Sequence, residues 1–112
     1  MTRRPWAVGL SDRAEADFDD IPRWAADRFG ARQAASYGKV LAASLSRLEH
    51  GPAVPGARQR EEIGAGLHTL RVGSRGRHII LFRVGSELDR TIEVSRILHD
   101  AMDLARHAGE DD

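Results

Sequence analysis

The sequence contains no cysteine. That removes disulfides, thiolate metal sites and a cysteine nucleophile at once. It is compatible with a reducing compartment without demanding one. Long apolar runs are missing too: nothing approaches the roughly 18 consecutive apolar residues a spanning helix needs. No apolar stretch of signal-peptide kind follows Arg3 and Arg4, so no targeting segment is expected. Lysine is nearly absent, Lys39 being the only one among 17 basic residues. A GC-rich genome would produce that arginine excess by itself. Charge of one sign does not dominate, because 17 acidic residues balance the basic ones. A neutral chain lacks the overall field of a general nucleic-acid coat.

What remains is enough for one domain. The 112 residues can bury a core without staples, at modest stability. A single domain over 1–112 is expected, with the acidic end at 108–112 frayed. The charge is unevenly placed. Between Arg58 and Arg83, arginines 58, 60, 71, 75, 77 and 83 face only Glu61 and Glu62.

The apolar stretch from Trp6 to Leu10 reads as a strand ending at Ser11. Ser11 is a good N-cap, and Asp12 and Glu15 place negative charge in the first turn, where the helix dipole favours it. Ala14, Phe18, Ile21 and Ala25 then fall on one helical face. Pro22 lacks the N–H for a bond to Phe18 and is expected to kink the helix or restart it. Gly30 ends the segment. A second helix, about 31–49, carries Ala34, Tyr37, Leu41, Leu45 and Leu48 on one stripe. Two amphipathic helices joined at a glycine read as a hairpin, and each needs a partner surface.

Residues 51–66 are rich in glycine and proline and read as a long loop. Three strands follow. Leu67–Val72 alternates, His78–Val84 is the most strand-like run, and Thr91–Leu98 alternates again. A short terminal helix over His99–His107 is expected. The order is β-α-α-β-β-β, an α+β domain: an antiparallel sheet with the helical hairpin packed on one face and the other face exposed.

The five histidines show no metal-ligand spacing, so no metal is expected. The serines have no nucleophile-elbow context. Gly64-Ala65-Gly66 is not followed by the lysine of a phosphate loop. Arg71 and Arg83 alternate with core positions and should point to the uncovered face. There they are either contacts for a phosphate-bearing or acidic target or ordinary solvated strand arginines. Arg96 keeps the parity of Ile92 and Val94, so unless a bulge intervenes it faces the helices. A buried arginine needs a carboxylate, and Asp17, Asp20 and Asp103 are the candidates. His99 is either a general acid–base or an anchor of the terminal turn.

One stretch carries a resemblance. Gly66-Leu67-His68 precedes a turn at Gly73–Gly76, then Ile79-Ile80-Leu81-Phe82-Arg83-Val84. Ile92, Val94, Arg96, Leu98, His99, Met102 and Asp103 then fall in register. With Leu10-Ser11 and Arg28-Phe29-Gly30 upstream, the chain resembles the ParE/RelE toxin superfamily, and ParE more than RelE. Pro22 stands where the family keeps an unbroken helix, and His68 where arginine is frequent. The resemblance implies a cytoplasmic toxin of a type II toxin–antitoxin system, without a cofactor, neutralised by a cognate antitoxin. ParE-type members poison DNA gyrase by binding, whereas RelE-type members cut mRNA on the ribosome. Ile79 and Phe82 stand where ribonuclease members often carry an arginine and a phenol, which favours the gyrase reading. On that reading Arg71, Arg83, Arg75 and Arg77 meet the target, and Trp24, Phe29 and Tyr37 meet the antitoxin. On the ribonuclease reading the catalytic set is Arg71, Arg83, Arg96 and His99.

Overall fold

The computed structural model describes residues 4–73 and 76–99. Strand β1 spans Ala7–Leu10, helix α1 Asp12–Phe29 and helix α2 Ala31–Arg47, with a 3-10 turn at Leu48–His50. Strand β2 is Arg58–Gln59, β3 His68–Arg71, β4 His78–Ser86 and β5 Thr91–His99. They form one sheet in the order β1-β5-β4-β3-β2. Strands β2 to β5 pair antiparallel, as expected of a meander. β1 joins the edge in parallel, Ala7 opposite Thr91 and Leu10 opposite Val94, so the sheet is mixed. A parallel neighbour requires a long connection, and the hairpin and β2–β4 all lie between these two strands. Among the described residues no helix is long and apolar enough to cross a membrane.

The helix boundaries follow local chemistry. Ser11 Oγ accepts a 3.0 Å bond from the Ala14 N–H, and its own hydroxyl donates to the Ser95 carbonyl at 2.7 Å. The cap thereby also ties α1 to β5. Gly30, at φ 90°, closes α1 with its N–H on the Ala26 carbonyl. Helix α1 runs through Pro22 without the expected restart. The proline lies on the exposed face, where water can serve the Phe18 carbonyl it leaves without a donor.

Ala14, Ile21, Leu41 and Leu48 from the hairpin meet Leu70, Val72, Ile80, Phe82, Ile92 and Val94 of the sheet in the main core. The opposite face is not simply exposed, contrary to the expectation. Leu67, Leu81 and Leu98 are essentially fully buried there, and Ile63 from the loop packs on them. The loop is more ordered than its composition suggests. Arg58 and Gln59 pair with Thr69 and His68, and the Arg60 N–H bonds the Leu67 carbonyl at 2.8 Å.

Strand β5 carries a bulge. Phe82 lies opposite Val94 but Leu81 opposite Arg96, so Ser95 is the extra residue. Beyond it the parity flips, and Ile97 takes the helix-side position instead of Arg96. Arg96 nevertheless reaches α1, because β1 has ended and leaves this part of β5 uncovered. Its Nε and Nη2 donate to Asp17 Oδ2 and Oδ1 at 2.9 and 3.1 Å. The Ile97 N–H also donates to Asp17 Oδ2, at 2.9 Å. One carboxylate thus serves a guanidinium and an otherwise orphaned strand amide.

Candidate functional site

The residues singled out in the sequence gather on two surfaces, one on each side of the sheet. On the helix side, Trp24 and Arg28 are one turn apart, and the guanidinium lies 5.3 Å from the indole centroid. Phe29 meets Trp24 edge-on at 5.8 Å, and Tyr37 approaches from α2 at 6.1 Å. The three proposed antitoxin contacts therefore form one cluster. Strands β4 and β5 add His78 and His99, a cross-strand pair 5.5 Å apart. Their rings lie 4.7 and 5.5 Å from Trp24. His78 is buried, and its Nδ1 shares a 2.8 Å hydrogen bond with Tyr37 Oη. The cluster borders a pocket of about 380 Å³ whose lining includes Asp20, Ile21, Trp24, Arg28, His78 and His99. Beside it a second hollow of about 500 Å³ is lined by Trp24, Arg28, Phe29, Arg77 and His99.

On the loop side stand Arg71 and Arg83. Arg71 lies between the helix-facing Leu70 and Val72, and its Nη1 donates to the Gly76 carbonyl at 2.9 Å. Arg83 lies opposite Glu93, and its Nε donates to the Ala65 carbonyl at 3.3 Å. Both arginines point as the alternation required. Arg77 instead lines the Trp24 hollow, so the four arginines assigned to the target do not form one patch. Arg75, Asp103 and the terminal helix expected at 99–107 beyond His99 lie outside the described residues.

The catalytic set of the ribonuclease reading is divided. Arg71 and Arg83 occupy the loop side, His99 sits among aromatic rings on the helix side, and Arg96 is bound to Asp17. In-line attack on a phosphate needs a base, an acid and a cation around one phosphorus. Those four side chains do not converge in that way. Sequence reasoning missed His78 and Arg28. The first has the parity of Ile80 and Phe82, and the second stands four residues after Trp24, so both signals were present. Among the described residues no three histidine or carboxylate side chains converge as a metal site would require.

Comparison with known proteins decides the family. The family model for the ParE toxin of the type II toxin–antitoxin system parDE matches residues 8–104. The chain belongs to the ParE toxin family. Toxin ParE1 of Caulobacter vibrioides is 37% identical over 105 residues, covering 89% of this chain and 95% of the relative. Toxin ParE1 of Mycobacterium tuberculosis is 35% identical over 98 residues, covering 88% and 93%. The solved chromosomal ParDE TA system from P. aeruginosa superposes with TM-score 0.71 at 21% identity, over 87% of this chain and 98% of that one. The toxin–antitoxin complex RelBE2 from Mycobacterium tuberculosis gives TM-score 0.52 at 23% identity, over 85% and 98%. At such identities these two likenesses speak to the fold. The ParE match spans both surfaces described above, since it begins in β1 and runs past His99.

Proposed function

We propose that this ParE-family toxin acts in the cytoplasm by binding DNA gyrase without covalent chemistry, trapping its cleaved-DNA state. A cognate antitoxin neutralises it by docking on the Trp24, Phe29 and Tyr37 surface. The observation that carries this reading is the division of the ribonuclease set between the two faces of the sheet. A binder needs only a shaped, charged surface, and Arg71 and Arg83 supply cations on the loop side of the sheet. The exposed Phe29 beside Trp24 suits a partner segment with apolar anchors.

One observation favours the alternative. His99 shares a hollow with Arg28 and Arg77, so a ribosome-dependent ribonuclease would have to work there. Purified gyrase separates the two. Under the gyrase reading, adding the toxin accumulates cleaved DNA in a supercoiling reaction, and premixing it with the antitoxin abolishes the effect. Unaffected gyrase, together with cut mRNA in a translating extract, would replace this reading with the ribonuclease one.

A further inference from the structure

We propose that the outer edge of β1 pairs antiparallel with β1 of a second copy of this chain, joining two sheets into one across a two-fold axis at Gly9. β1 has a neighbour on one side only, β5. The Ala7 and Ser11 N–H groups bond the Arg90 and Val94 carbonyls at 2.8 and 2.9 Å, so the odd-numbered positions face β5. Backbone polar groups alternate in direction along a strand, and those of Val8 and Leu10 therefore point outward. Among the described residues nothing bonds them there. Such a row of N–H and C=O groups is a template for another strand.

The two edges of the sheet are finished differently. β2 is two residues long and carries Arg58, both of which discourage strand addition. β1 reads Ala7-Val8-Gly9-Leu10, with neither charge nor proline. The Trp6 N–H bonds the Glu49 carbonyl at 2.8 Å, so the 3-10 turn closes the edge at Trp6 and the open stretch runs from Val8 to Leu10.

Gly9 is an independent sign. It does not have a positive φ, and a Cβ built on it would meet nothing within 4 Å. Neither its backbone conformation nor packing within the chain calls for glycine. Glycine weakens a strand, and it often marks the close approach of another backbone. With Gly9 on the axis, Val8 lies opposite Leu10 of the second copy, and Leu10 opposite Val8. Both pairs then exchange both of their N–H···O bonds, and Gly9 takes the close, non-bonded place between them, where Cα atoms approach to about 4.5 Å.

The second copy is favoured as occupant because β1 is its own complement. Val8 and Leu10 are half-buried against the main core, and each covers the exposed remainder of the other. Antiparallel pairing also brings the Arg4 end of one strand to the Asp12 end of the other. Both side chains are exposed, and neither has an ion pair or hydrogen bond among the described residues. The axis stands perpendicular to the sheet, so both hairpins lie on one face of the joined sheet and both Arg83 side chains on the other. So small an interface is weak, with a dissociation constant on the order of 10–100 μM.

Sedimentation velocity of the full chain alone, over a concentration series crossing that range, should show monomer giving way to dimer. Gly9→Lys and Gly9→Glu each set like charges against one another on the axis and should weaken the dimer by roughly tenfold or more. An equimolar mixture of the two variants should recover it as a heterodimer. If either variant does not fold, amide hydrogen exchange of the unaltered chain takes its place, and protection of the Val8 and Leu10 N–H groups should rise with concentration. A chain that stays monomeric throughout, or a dimer equally tight in both variants, overturns the inference. Protection of Val8 and Leu10 that appears only on adding the antitoxin overturns it as well, because a partner's strand would then be the occupant. Each of these results leaves the gyrase assay untouched, since the pairing does not rest on that reading.

Discussion

Leu41, Leu48 and Ile80 on the helix side are buried as completely as Leu67, Leu81 and Leu98 on the loop side, yet the two groups are covered by different means. The first lies under two amphipathic helices that bury a continuous stripe. The second lies under a loop whose packed apolar contribution is Ile63. Cover of the first kind is cooperative and broad, and it leaves charge only at its margins. Cover of the second kind is thin, and Arg71 and Arg83 stand on the same side of the sheet. The comparison teaches that the two faces of one sheet can be buried by different means, one under a broad helical layer and the other under a loop.

Four substitutions sharpen or break that contrast. The largest effect falls on the helix side. Asp17→Ala removes the carboxylate that accepts from both the Arg96 guanidinium and the Ile97 N–H. It should cost about 3 kcal/mol, on the order of 10 °C in Tm by thermal denaturation. A loss as small as that of a surface pair would show that α1 is not locked to β5 there. Ile63→Ala should cost about 1 kcal/mol, since the side chain is only half-buried and the loop can collapse onto the patch. Urea titration measures it, and a loss equal to that of Asp17→Ala would erase the contrast. Arg71→Ala and Arg83→Ala should each stay within about 0.5 kcal/mol of the parent, because the bonds described for them go to turn and loop carbonyls near the surface.

The smallest effect concerns pH. The hydrogen bond from Arg60, 2.6 Å away, holds the Glu62 carboxyl below the usual carboxylate range. A lowered folded pKa contributes stability above the unfolded value and loses it as pH falls through the folded one. Glu62 is exposed, so solvent screens the pair. Glu62→Gln should lower Tm at neutral pH at most slightly, and that small difference from the parent should vanish as pH falls through the folded pKa of the carboxyl, as a Tm-against-pH curve would show.

Much of the helix side was legible because its signals are local and periodic. Ser11, Gly30 and the stripe from Ala34 to Leu48 each announced their role by spacing alone. Asp17 was among three candidate partners for Arg96 because a buried guanidinium demands a carboxylate. The loop side was harder to read. A two-residue strand such as β2 has no period, and Ile63 is an isolated apolar residue in a polar loop. The bulge at Ser95 was invisible, since one inserted residue flips every later side chain without leaving a compositional mark. The same limit hid the sorting of site residues. Arg77, His78 and His99 converge on Trp24 only because β4 begins where its neighbour β5 ends, His78 lying opposite His99.

Growth inhibition by two variants, expressed at equal levels in the host, tests the separation of roles most directly. Arg71→Ala/Arg83→Ala should abolish toxicity while melting close to the parent, and His99→Gln should remain toxic. A harmless His99→Gln protein beside a fully toxic double-arginine variant would contradict the account and place the active groups around Trp24.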